Sequence, residues 1–343
     1  MKKDILSLNL QELTDEITAL GQPKFKAKQI YRWLHKAYIT DFNEMSDISL
    51  DLRQKLNDNF VIFSCSIEKK LVSSYDSTIK YLFRLNDGEF VESVLMKYKY
   101  GYTVCVSSQV GCRMGCKFCA STLSGVVRSL YPSEILSQIY AISRDNNIRV
   151  SHIVIMGMGE PFDNYDNVLK FLRLISDENG TNISMRHISL STCGIVPGIL
   201  KLMEENLQLT LSISLHAPND EIRSSMMPVN KKWNIEQLIA ACKQYTDKTS
   251  RRISFEYALV NGVNDTPECA LQLAQLLKGM LCHINLIPVN EVDETGCKKS
   301  TPERVRRFSE LLEKKGFPVT VRRELGSDIN AACGQLRRNS GKK

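Results

Sequence analysis

The sequence predicts an α/β protein built on an incomplete, TIM-like (βα)6 barrel, with a small helical domain and a β extension before it. From about residue 101, strand-like and helical segments alternate regularly, which is typical of a parallel sheet covered by helices. Residues 1–60 have the apolar period of helices, and residues 61–100 alternate apolar and polar residues as strands do. We therefore predict domains at 1–60, 61–100 and 101–343.

The first domain is expected to contain three helices, in LQELTDEITALG, FKAKQIYRWLHKAY and DISLDLRQKLNDN, with Asn9 as the N-cap of the first. In residues 22–38, five lysines and arginines alternate with four aromatic residues. Cations that contact phosphates beside rings that stack on bases are typical of an RNA-binding surface. The basic end QLRRNSGKK fits the same interpretation. The segment equally favours a solvated helix whose aromatic rings face a small core.

The predicted strands fall into two groups. The extension should contain IEKKLVSS, TIKYLFRL and EFVESVLMKY, with a hairpin turn at Asn86-Asp87-Gly88 between the last two. The barrel strands are expected in TVCVSSQ, HIVIMGMGE, HISLSTCG, LTLSISLHA, ISFEYALV and CHINLIPVN. Helices are predicted near 132–146, 165–177, 197–206, 234–247 and 267–280, and a last helix from Pro302 leads to a seventh strand in PVTVRREL.

Polar and glycine-rich residues follow several barrel strands. The carboxyl ends of the strands of a βα barrel meet at one rim, where ligands bind. Four such clusters in register therefore predict a shared ligand site. They are Gly157-Met158-Gly159-Glu160, Ser191-Thr192, Ser214-Leu215-His216 and Pro288-Val289-Asn290.

Three cysteines, Cys112, Cys116 and Cys119, have the spacing C-x3-C-x2-C in the loop after the first barrel strand. Three thiolates on a [4Fe–4S] cluster leave one iron with an open position. The spacing resembles that of the radical S-adenosylmethionine (SAM) superfamily, in which that iron chelates SAM and one electron cleaves it to a 5′-deoxyadenosyl radical. The alternative is a zinc knuckle with Cys105 as fourth ligand, although zinc cysteines usually come as two separated C-x2-C units.

The composition indicates an ordinary globular protein. The chain has 343 residues, 43% of them hydrophobic, and a net charge of +7, which permits a polyanionic partner. The start MKKDILSLNLQELTDE does not resemble a signal peptide, and no run approaches the ~18 apolar residues of a membrane span. We therefore expect a cytoplasmic protein without a membrane partner. Its eleven cysteines should then be mostly reduced.

Several motifs together resemble one family over nearly the whole chain. These are VESVLM, SSQVGCRMGCKFCAS, MGMGEP, STCG, SLHAPND and GSDINAACGQL. The combination is similar to the dual-specificity adenine-C2 RNA methyltransferases, RlmN and its relatives. The resemblance implies two substrates, an adenosine in the peptidyl-transferase region of 23S rRNA and the adenosine 3′ of the anticodon in some tRNAs. It also implies a one-electron donor such as flavodoxin or ferredoxin.

The same resemblance implies the roles of three further residues. Cys333 takes a methyl group from one SAM, and a second SAM is cleaved at the cluster, so that two are used per turnover. The radical abstracts hydrogen from the S-methyl group, and the resulting carbon radical adds to C2. Glu92 corresponds to the proton acceptor, and Cys105 then releases the product by forming a transient disulfide with Cys333. From the sequence alone, Glu92 is more often expected to face solvent.

The SAM-binding set also comes from the resemblance. Gly159 and Glu160 match the motif that holds the methionyl amino group, and the other matching positions are Ser191, Ser214, Leu215, His216 and Asn290. A loop or core histidine is an equally good interpretation of His216. Cys193 is left open, and the remaining cysteines are interpreted as buried small apolar residues, namely Cys65, Cys242, Cys269, Cys282 and Cys297.

Two rival functions remain open at this point. A Cfr-type relative methylates C8 of the same rRNA adenosine with the same cysteine set, although GEPFDNYDNV and SLHAPND look like the C2 group. A zinc-stabilised RNA-binding protein without catalysis would explain the basic segment and several cysteines. It leaves the strand-end clusters and the Cys333 tail unexplained.

Overall fold

The computed structural model describes residues 2–290 and 296–336 of the chain. Within these residues the helices are α1 Leu10–Ala19, α2 Phe25–His35, α3 Leu50–Asn59, α4 Pro132–Asn146, α5 Tyr165–Ile175, α6 Val196–Glu204, α7 Asp220–Met226, α8 Ile235–Thr249, α9 Pro267–Leu276 and α10 Pro302–Lys314. The strands are β1 Lys3–Asp4, β2 Phe60–Val61, β3 Ser66–Val72, β4 Ile79–Arg84, β5 Phe90–Tyr98, β6 Gly101–Cys105, β7 Gln109–Gly111, β8 Val126–Ser129, β9 His152–Ile155, β10 Ile188–Thr192, β11 Thr210–Ser214, β12 Ile253–Leu259, β13 Cys282–Pro288 and β14 Val319–Val321.

A ten-stranded sheet organises the described part of the chain, in the order β14-β13-β12-β11-β10-β9-β6-β5-β4-β3. The strands from β6 to β14 in this order are parallel, and helices separate them along the chain, as the open barrel requires. The predicted α/β alternation is therefore confirmed, including a seventh strand that is shorter than PVTVRREL.

The predicted β extension belongs to the same sheet as the barrel. Its three strands are antiparallel, and β5 pairs with β6, the first barrel strand, from Val94↔Cys105 to Tyr98↔Gly101. Because an open barrel leaves its first strand with an unpaired edge, this pairing covers backbone groups that would otherwise be exposed. The hairpin turn at Asn86-Asp87-Gly88 is confirmed, since β4 and β5 pair on either side of it.

Several elements were not predicted, among them the short strands β1 and β2, which pair in parallel. Strands β7 and β8 form a small antiparallel ribbon that brackets the cysteine loop, and α7 lies between β11 and α8. The ribbon needs glycine at its end, because Gly111 has φ +75° and a Cβ there would lie 1.9 Å from the Gly125 carbonyl oxygen. The turn therefore brings the two ends of the cysteine loop into direct contact.

Helices α1 and α2 begin as predicted, whereas α3 begins at Leu50, three residues after the start of DISLDLRQKLNDN. Asn9 forms a capping box with Glu12 at the start of α1. Three of the aromatic residues in the basic segment pack inward rather than towards solvent. Tyr31 is fully buried, Tyr38 stacks on Tyr140 at 4.3 Å between ring centres, and Trp33 is half-buried against the main core. These aromatic residues therefore fit the alternative interpretation, a helix whose aromatic rings face a core.

Phe25 is the exception among these aromatic residues, with 60% of its surface exposed. Most of the cations in the segment are also exposed, so the basic face remains available to phosphates. The basic C-terminal run from residue 337 onward lies outside the described residues. No helix in the described part of the chain is both long enough and apolar enough to span a bilayer.

Candidate functional site

A cavity opens at the carboxyl ends of the barrel strands, as the strand-end clusters predict. Its walls come from the cysteine loop, from the ends of β9 to β13 and from the tail after β14. The residues of the predicted site that line it are Cys112, Cys116, Cys119, Gly159, Glu160, Ser191, Ser214, His216, Asn290 and Cys333. Leu215, Glu92 and Cys105 do not line it.

The three cysteines of the loop share this cavity, with Cys112 and Cys116 buried and Cys119 half-buried. The backbone N–H of Cys112 donates to the Gly125 carbonyl, and that of Cys119 donates to the Cys116 carbonyl. Burial, followed by the charge of Cys119, raises the pKa of the Cys112 thiol to about 12. The pKa values of the other two thiols are raised as well, mainly by burial.

The donor set fits an iron–sulfur cluster. Soft thiolate ligands suit Fe–S clusters, and the raised thiol pKa values mean that the bare cysteines hold protons, which metal binding would release. The fit rests on the chemistry of the donors, because among the residues described here no three histidine, cysteine or carboxylate side chains lie close enough together to hold a single metal ion. Cys105, the fourth ligand in the zinc alternative, lies on β6 and outside the cavity wall.

Glu160 is held rigidly at the end of the loop after β9. Its side chain is 3% exposed and accepts hydrogen bonds from the backbone N–H groups of Phe162, at 3.0 Å, and Cys193, at 2.7 Å. Burial raises the pKa of Glu160, and these hydrogen bonds oppose that shift. The carboxylate therefore bridges the ends of β9 and β10 and faces the cavity.

Gly159 is required by close packing in the protein itself. Its φ is +106°, and a Cβ there would lie 2.7 Å from both the backbone nitrogen of Gln109 and Ser108 Oγ. A Cβ at Gly157 would lie 2.6 Å from the Val106 carbonyl oxygen. The glycines thus let the loop after β9 approach the segment between β6 and β7, which places Glu160 beside the cysteine loop.

Ser191, Ser214 and His216 form the neighbouring part of the rim. The hydroxyl oxygens of the two serines are 3.4 Å apart. His216 Nδ1 accepts a 2.8 Å hydrogen bond from the Ala258 backbone N–H, so its ring hydrogen is on Nε2. Burial, followed by the charge of Arg223, lowers the pKa of His216 to about 3, so the ring is neutral at neutral pH.

The backbone of His216 is in the left-handed region, with φ +56°. Non-glycine residues with this conformation are concentrated at functional sites. The ring meets Phe118 of the cysteine loop edge-on at 4.7 Å between ring centres. His216 is therefore both a core residue and part of the cavity wall, which unites the two interpretations of the sequence.

Leu215 points away from the cavity and is fully buried in the main core. Its backbone carbonyl accepts from Nε of Arg223, which is itself 0% exposed. The same guanidinium donates to the carbonyls of Cys193 and Ser214 and to Asn230 Oδ1. Arg223 thus joins the loops after β10 and β11. Nothing in the sequence marks this residue, because an arginine in a helix is usually exposed.

Cys333 lies on the tail after β14, where its side chain is exposed and also lines the cavity. Asn290 Nδ2 donates to the Cys333 carbonyl at 3.1 Å. Residues on both sides of Cys333 contact other elements, and the following Gly334 accepts from the backbone N–H of Ala120 in the cysteine loop. The structure therefore brings Cys333 to the same cavity as Cys112, Cys116 and Cys119.

Cys105 lies close enough to Cys333 for the two thiols to interact electrostatically. Cys105 is buried, and burial followed by the charge of Cys333 raises the pKa of its thiol to about 12, with Arg322 opposing the shift. Neither cysteine forms a disulfide in this structure. This arrangement suits a pair that forms a disulfide only transiently.

Glu92 does not face solvent, and that expectation from the sequence is wrong. Glu92 is only 3% exposed, and its carboxylate forms an ion pair with Lys80, with 3.2 Å between Oε1 and Nζ. In the pairing of β5 with β6, Glu92 lies on the same face as Val94, which is opposite Cys105. Glu92 and Cys105 therefore project to one side of the sheet.

Two charged residues of the cavity wall were absent from the sequence analysis, Arg322 and Glu256. Glu256 accepts from Asn285 Nδ2 at 2.6 Å, and Arg322 contacts Met156 Sδ at 3.7 Å. Burial lowers the pKa of Arg322, but the charges of Cys333 and Glu256 outweigh this effect and leave it raised. A signal for Arg322 existed, since it follows the last barrel strand directly.

The other cysteines follow their interpretation in most cases. Cys193 is buried and lines the cavity, while Cys297 is half-buried. Four others are buried as small apolar residues, namely Cys65, Cys242, Cys269 and Cys282.

Comparisons with known proteins agree with this geometry. Residues 106–277 match the radical SAM superfamily, and residues 3–62 match the ribosomal RNA large subunit methyltransferase N-terminal domain. The chain is 54% identical to a "Probable dual-specificity RNA methyltransferase RlmN" of Clostridium novyi, over 98% of each chain. A protein of the same name from Desulforamulus reducens is 55% identical, over 98% of this chain and 96% of the relative.

A solved structure matches the whole fold. The crystal structure of a radical SAM methyltransferase from Sphaerobacter thermophilus superposes with a TM-score of 0.94 and 42% identity, covering 97% of this chain and 99% of the other. Members of the radical SAM superfamily use a [4Fe–4S] cluster and SAM, for which the three cysteines and the rim residues are suited. The chain belongs to the RlmN family of dual-specificity RNA methyltransferases, and it is a radical SAM enzyme that methylates RNA.

Proposed function

We propose that this enzyme methylates C2 of an adenosine in the peptidyl-transferase region of 23S rRNA and C2 of the adenosine 3′ of the anticodon in some tRNAs. The observation that supports it most is that Cys333 and the cysteine loop line one cavity, while Cys105 lies outside its wall but near enough for the charge of Cys333 to raise the pKa of the Cys105 thiol. An RNA methyltransferase that transferred the methyl group of SAM directly would not need this second pair of cysteines. The relatives' name, which speaks of dual specificity, supports two kinds of RNA substrate.

The cofactors would be held by residues on both sides of the cavity. Cys112, Cys116 and Cys119 would bind a [4Fe–4S] cluster, and the rim with Glu160 and Asn290 would bind SAM. With both groups bound, the chemistry supplied at this site would be the cleavage of SAM by one electron. We propose that two SAM molecules are used per turnover, one as methyl donor to the protein and one for this cleavage.

Cys333 is the proposed methyl carrier. Its sulfur attacks the SAM methyl group, so that a new S–C bond forms, the bond to the sulfonium breaks and S-adenosylhomocysteine leaves. The thiol proton is released at this step. Its exposure at the cavity mouth supports the role, because the same sulfur must reach both SAM and the RNA base.

Glu92 and Cys105 are proposed for the end of the reaction. Glu92 accepts the proton from C2 of the adduct. Once the adduct has also given up its unpaired electron to a one-electron acceptor such as the oxidised donor protein, Cys105 loses its thiol proton and its sulfur attacks the Cys333 sulfur. An S–S bond forms, the bond between Cys333 and the methylene carbon breaks, and that carbon keeps the electron pair and takes up a proton to become the methyl group. A thiol reductant must restore both cysteines before the next turnover. The support is the burial of Glu92 on the same sheet face as Cys105 and the rise in the pKa of the Cys105 thiol that the charge of Cys333 contributes.

The helices of residues 1–60 are proposed to bind RNA. The exposed cations of α2 and its flanks, including Lys28, Arg32 and Lys36, support phosphate contacts. Charge reversal at Lys28 and Arg32 should raise the KM for RNA and lower its salt dependence, with kcat at saturating RNA little changed. An unchanged KM would remove the support for this surface.

We propose a flavodoxin or ferredoxin as donor in the cytoplasm. Purified flavodoxin with its reductase and NADPH should support methylation in place of a chemical reductant. Failure of both donor proteins to support turnover, where the chemical reductant succeeds, would contradict this proposal.

Mass spectrometry of nucleosides tests the site of methylation. The enzyme is expressed in a host that lacks its own RlmN-type enzyme, and digests of rRNA and tRNA are compared with 2-methyl- and 8-methyladenosine standards. We expect 2-methyladenosine in both RNAs. An 8-methyladenosine product with unmodified tRNA would support the Cfr-type alternative instead.

A further inference from the structure

We propose that the loop of the β3–β4 hairpin, residues 73–78, is a positioning element for Cys333. The inference rests on the proposed role of Cys333 as methyl carrier. It concerns residues far from the cavity in sequence and outside its wall. The loop holds the tail just before Cys333, and Asp328 is the principal contact.

Asp328 joins the tail to the start of the hairpin loop through three hydrogen bonds. Its carboxylate accepts from Ser73 Oγ at 2.7 Å, from the Ser74 backbone N–H at 2.7 Å and from Ser74 Oγ at 2.8 Å. Hydrogen bonds to a charged acceptor are stronger than neutral ones. The three bonds therefore fix both the distance and the orientation of the tail at this point.

The contact continues on both sides of Asp328. Asp76 Oδ2 in the loop accepts from the Gly326 backbone N–H at 3.0 Å. Gly326 has φ +60°, and a Cβ there would lie 2.8 Å from Thr78 Cγ2 and from Ala331 Cβ. The tail thus packs against the hairpin too closely for any side chain at Gly326, which indicates a fitted contact rather than a chance one.

Lys80 extends the contact to the proposed proton acceptor. Its Nζ donates to the Asn330 carbonyl at 3.2 Å and pairs with Glu92 Oε1 at 3.2 Å, and its side chain is only 9% exposed. One ammonium group therefore joins the tail backbone to the Glu92 carboxylate. The hairpin consequently relates the position of Cys333 to that of Glu92.

The far side of Cys333 is held by other elements. The Gly334 carbonyl accepts from the Ala120 N–H at 2.7 Å, and the Leu336 carbonyl accepts from Ser121 Oγ at 2.6 Å. Cys333 thus lies between an attachment to the cysteine loop and an attachment to the hairpin. Asn330 and Cys333 are three positions apart in the chain, a span of at most ~10 Å. Loss of the hairpin attachment would let this span move and would misplace the sulfur.

The test compares variants that remove the contact from either side. We expect Asp328→Ala, and separately Ser73→Ala combined with Ser74→Ala, to lower kcat for RNA methylation by about tenfold, since a misplacement of ~1 Å costs up to ~100-fold. The KM for RNA should stay within about twofold, because no RNA contact is removed. Amide hydrogen exchange across residues 326–333 should accelerate in the RNA-free protein. A protein with all three substitutions, at Ser73, Ser74 and Asp328, should have a kcat close to that of either the Asp328 variant or the serine variant. This is the result expected when the residues belong to one contact.

A matched control lies on the same hairpin. Lys70→Gln removes the ion pair between β3 and Asp145 of α4, which does not involve the tail. Its kcat and its rate of amide hydrogen exchange across residues 326–333 should equal those of the parent protein. The proposal would be overturned if exchange and kcat were unchanged in both the Asp328 and the serine variants. It would also be overturned if the fold decreases in kcat of these two variants multiplied in the combined variant. Exchange is measured without RNA, so a failure here is distinct from a product other than 2-methyladenosine.

Discussion

The rim of the barrel and the tail that carries Cys333 are held in place by different kinds of interaction. At the rim, Glu160 is buried and bonded to backbone N–H groups, and fully buried Arg223 joins the loops after neighbouring strands. In the tail, exposed Asp328 binds hydroxyl groups of a hairpin loop. The rim is therefore fixed by buried hydrogen bonds, whereas the tail before Cys333 is fixed to the hairpin loop by bonds of the exposed Asp328.

The difference matches the tasks proposed for the two regions. Cleavage of SAM requires ligands in fixed positions, which rigid strand ends supply. A methyl carrier has to meet first SAM and then an RNA base, and segments that move are drawn from the less stable parts of a protein. We expect substitutions at the rim to damage cofactor binding or folding, and substitutions in the tail to damage single steps of turnover.

The largest effect is expected in the cysteine loop. Changing Cys112, Cys116 or Cys119 to alanine removes one of the three thiolates, and iron content, brown colour and all SAM cleavage should be lost. Cys65→Ala is the matched control, because Cys65 is buried in the core and does not line the cavity. Iron content and colour that persist in all three variants would refute the cluster assignment.

Loss of activity of a different kind is expected at the two other cysteines. Cys333→Ala should keep its cluster but show neither a methylated cysteine nor methylated RNA. Cys105→Ala should accumulate protein joined to RNA through Cys333, because the thiol that releases the product is missing. Denaturing gels and intact-protein mass spectra separate the two outcomes. Normal turnover in Cys105→Ala without an adduct would make Cys105 a structural residue.

A smaller but measurable effect on folding is expected from the rim glycine. Gly159→Ala should destabilise the protein by about 3 kcal/mol or more, because φ +106° is strained for alanine and its Cβ would lie 2.7 Å from Gln109. Gly262→Ala is the control, with φ +73° and no atom within 4 Å of the new Cβ, and should cost about 1 kcal/mol. If urea unfolding showed equal decreases in the free energy of unfolding for the two variants, the close approach at Gly159 would not contribute to stability.

The smallest effect concerns acid pH. Burial lowers the pKa of His35 to about 3, from 6.5 when unfolded. Below pH 6.5 the unfolded chain therefore binds a proton at His35 that the folded chain does not bind. The free energy of unfolding is consequently highest above pH 6.5 and decreases as the pH falls towards 3. At pH 5 the loss is about 2 kcal/mol for this residue. His35→Gln should be less sensitive than the parent protein between pH 7 and 5 in urea unfolding, and equal sensitivity would contradict the argument.

The order of the elements was predictable because it depends on local periodicity. The βα alternation and the capping box at Asn9 follow from neighbouring residues in the chain. The rim was also predictable, since parallel strands bring their carboxyl ends together whatever their sequence. The β7–β8 ribbon was missed because its strands are short and its pairing crosses the whole cysteine loop.

The environment of Glu92 shows where pattern reasoning fails. Alternation along β5 predicts two faces but not what covers each one. On one face Ser93 Oγ donates to Gln138 of α4, and on the other Glu92 meets Lys80. Both faces are buried, so a carboxylate that would ordinarily be exposed lies inside. The inward packing of Tyr31 against the barrel helices has the same origin, since Tyr31 Oη donates to Asp177 at 3.2 Å.

The sequence by itself determined the kind of chemistry and the succession of elements, because residue types, short spacings and local periods carry that information. Only the tertiary structure decided how the pieces meet. Lys80 and Asn330 are 250 positions apart, and Ser73 and Asp328 are 255 apart. No local pattern marks such pairs, because the contact exists only once the sheet has brought β4 and the tail together. The position of Cys333 therefore depends on the whole fold, although its identity could be recognised from a few residues.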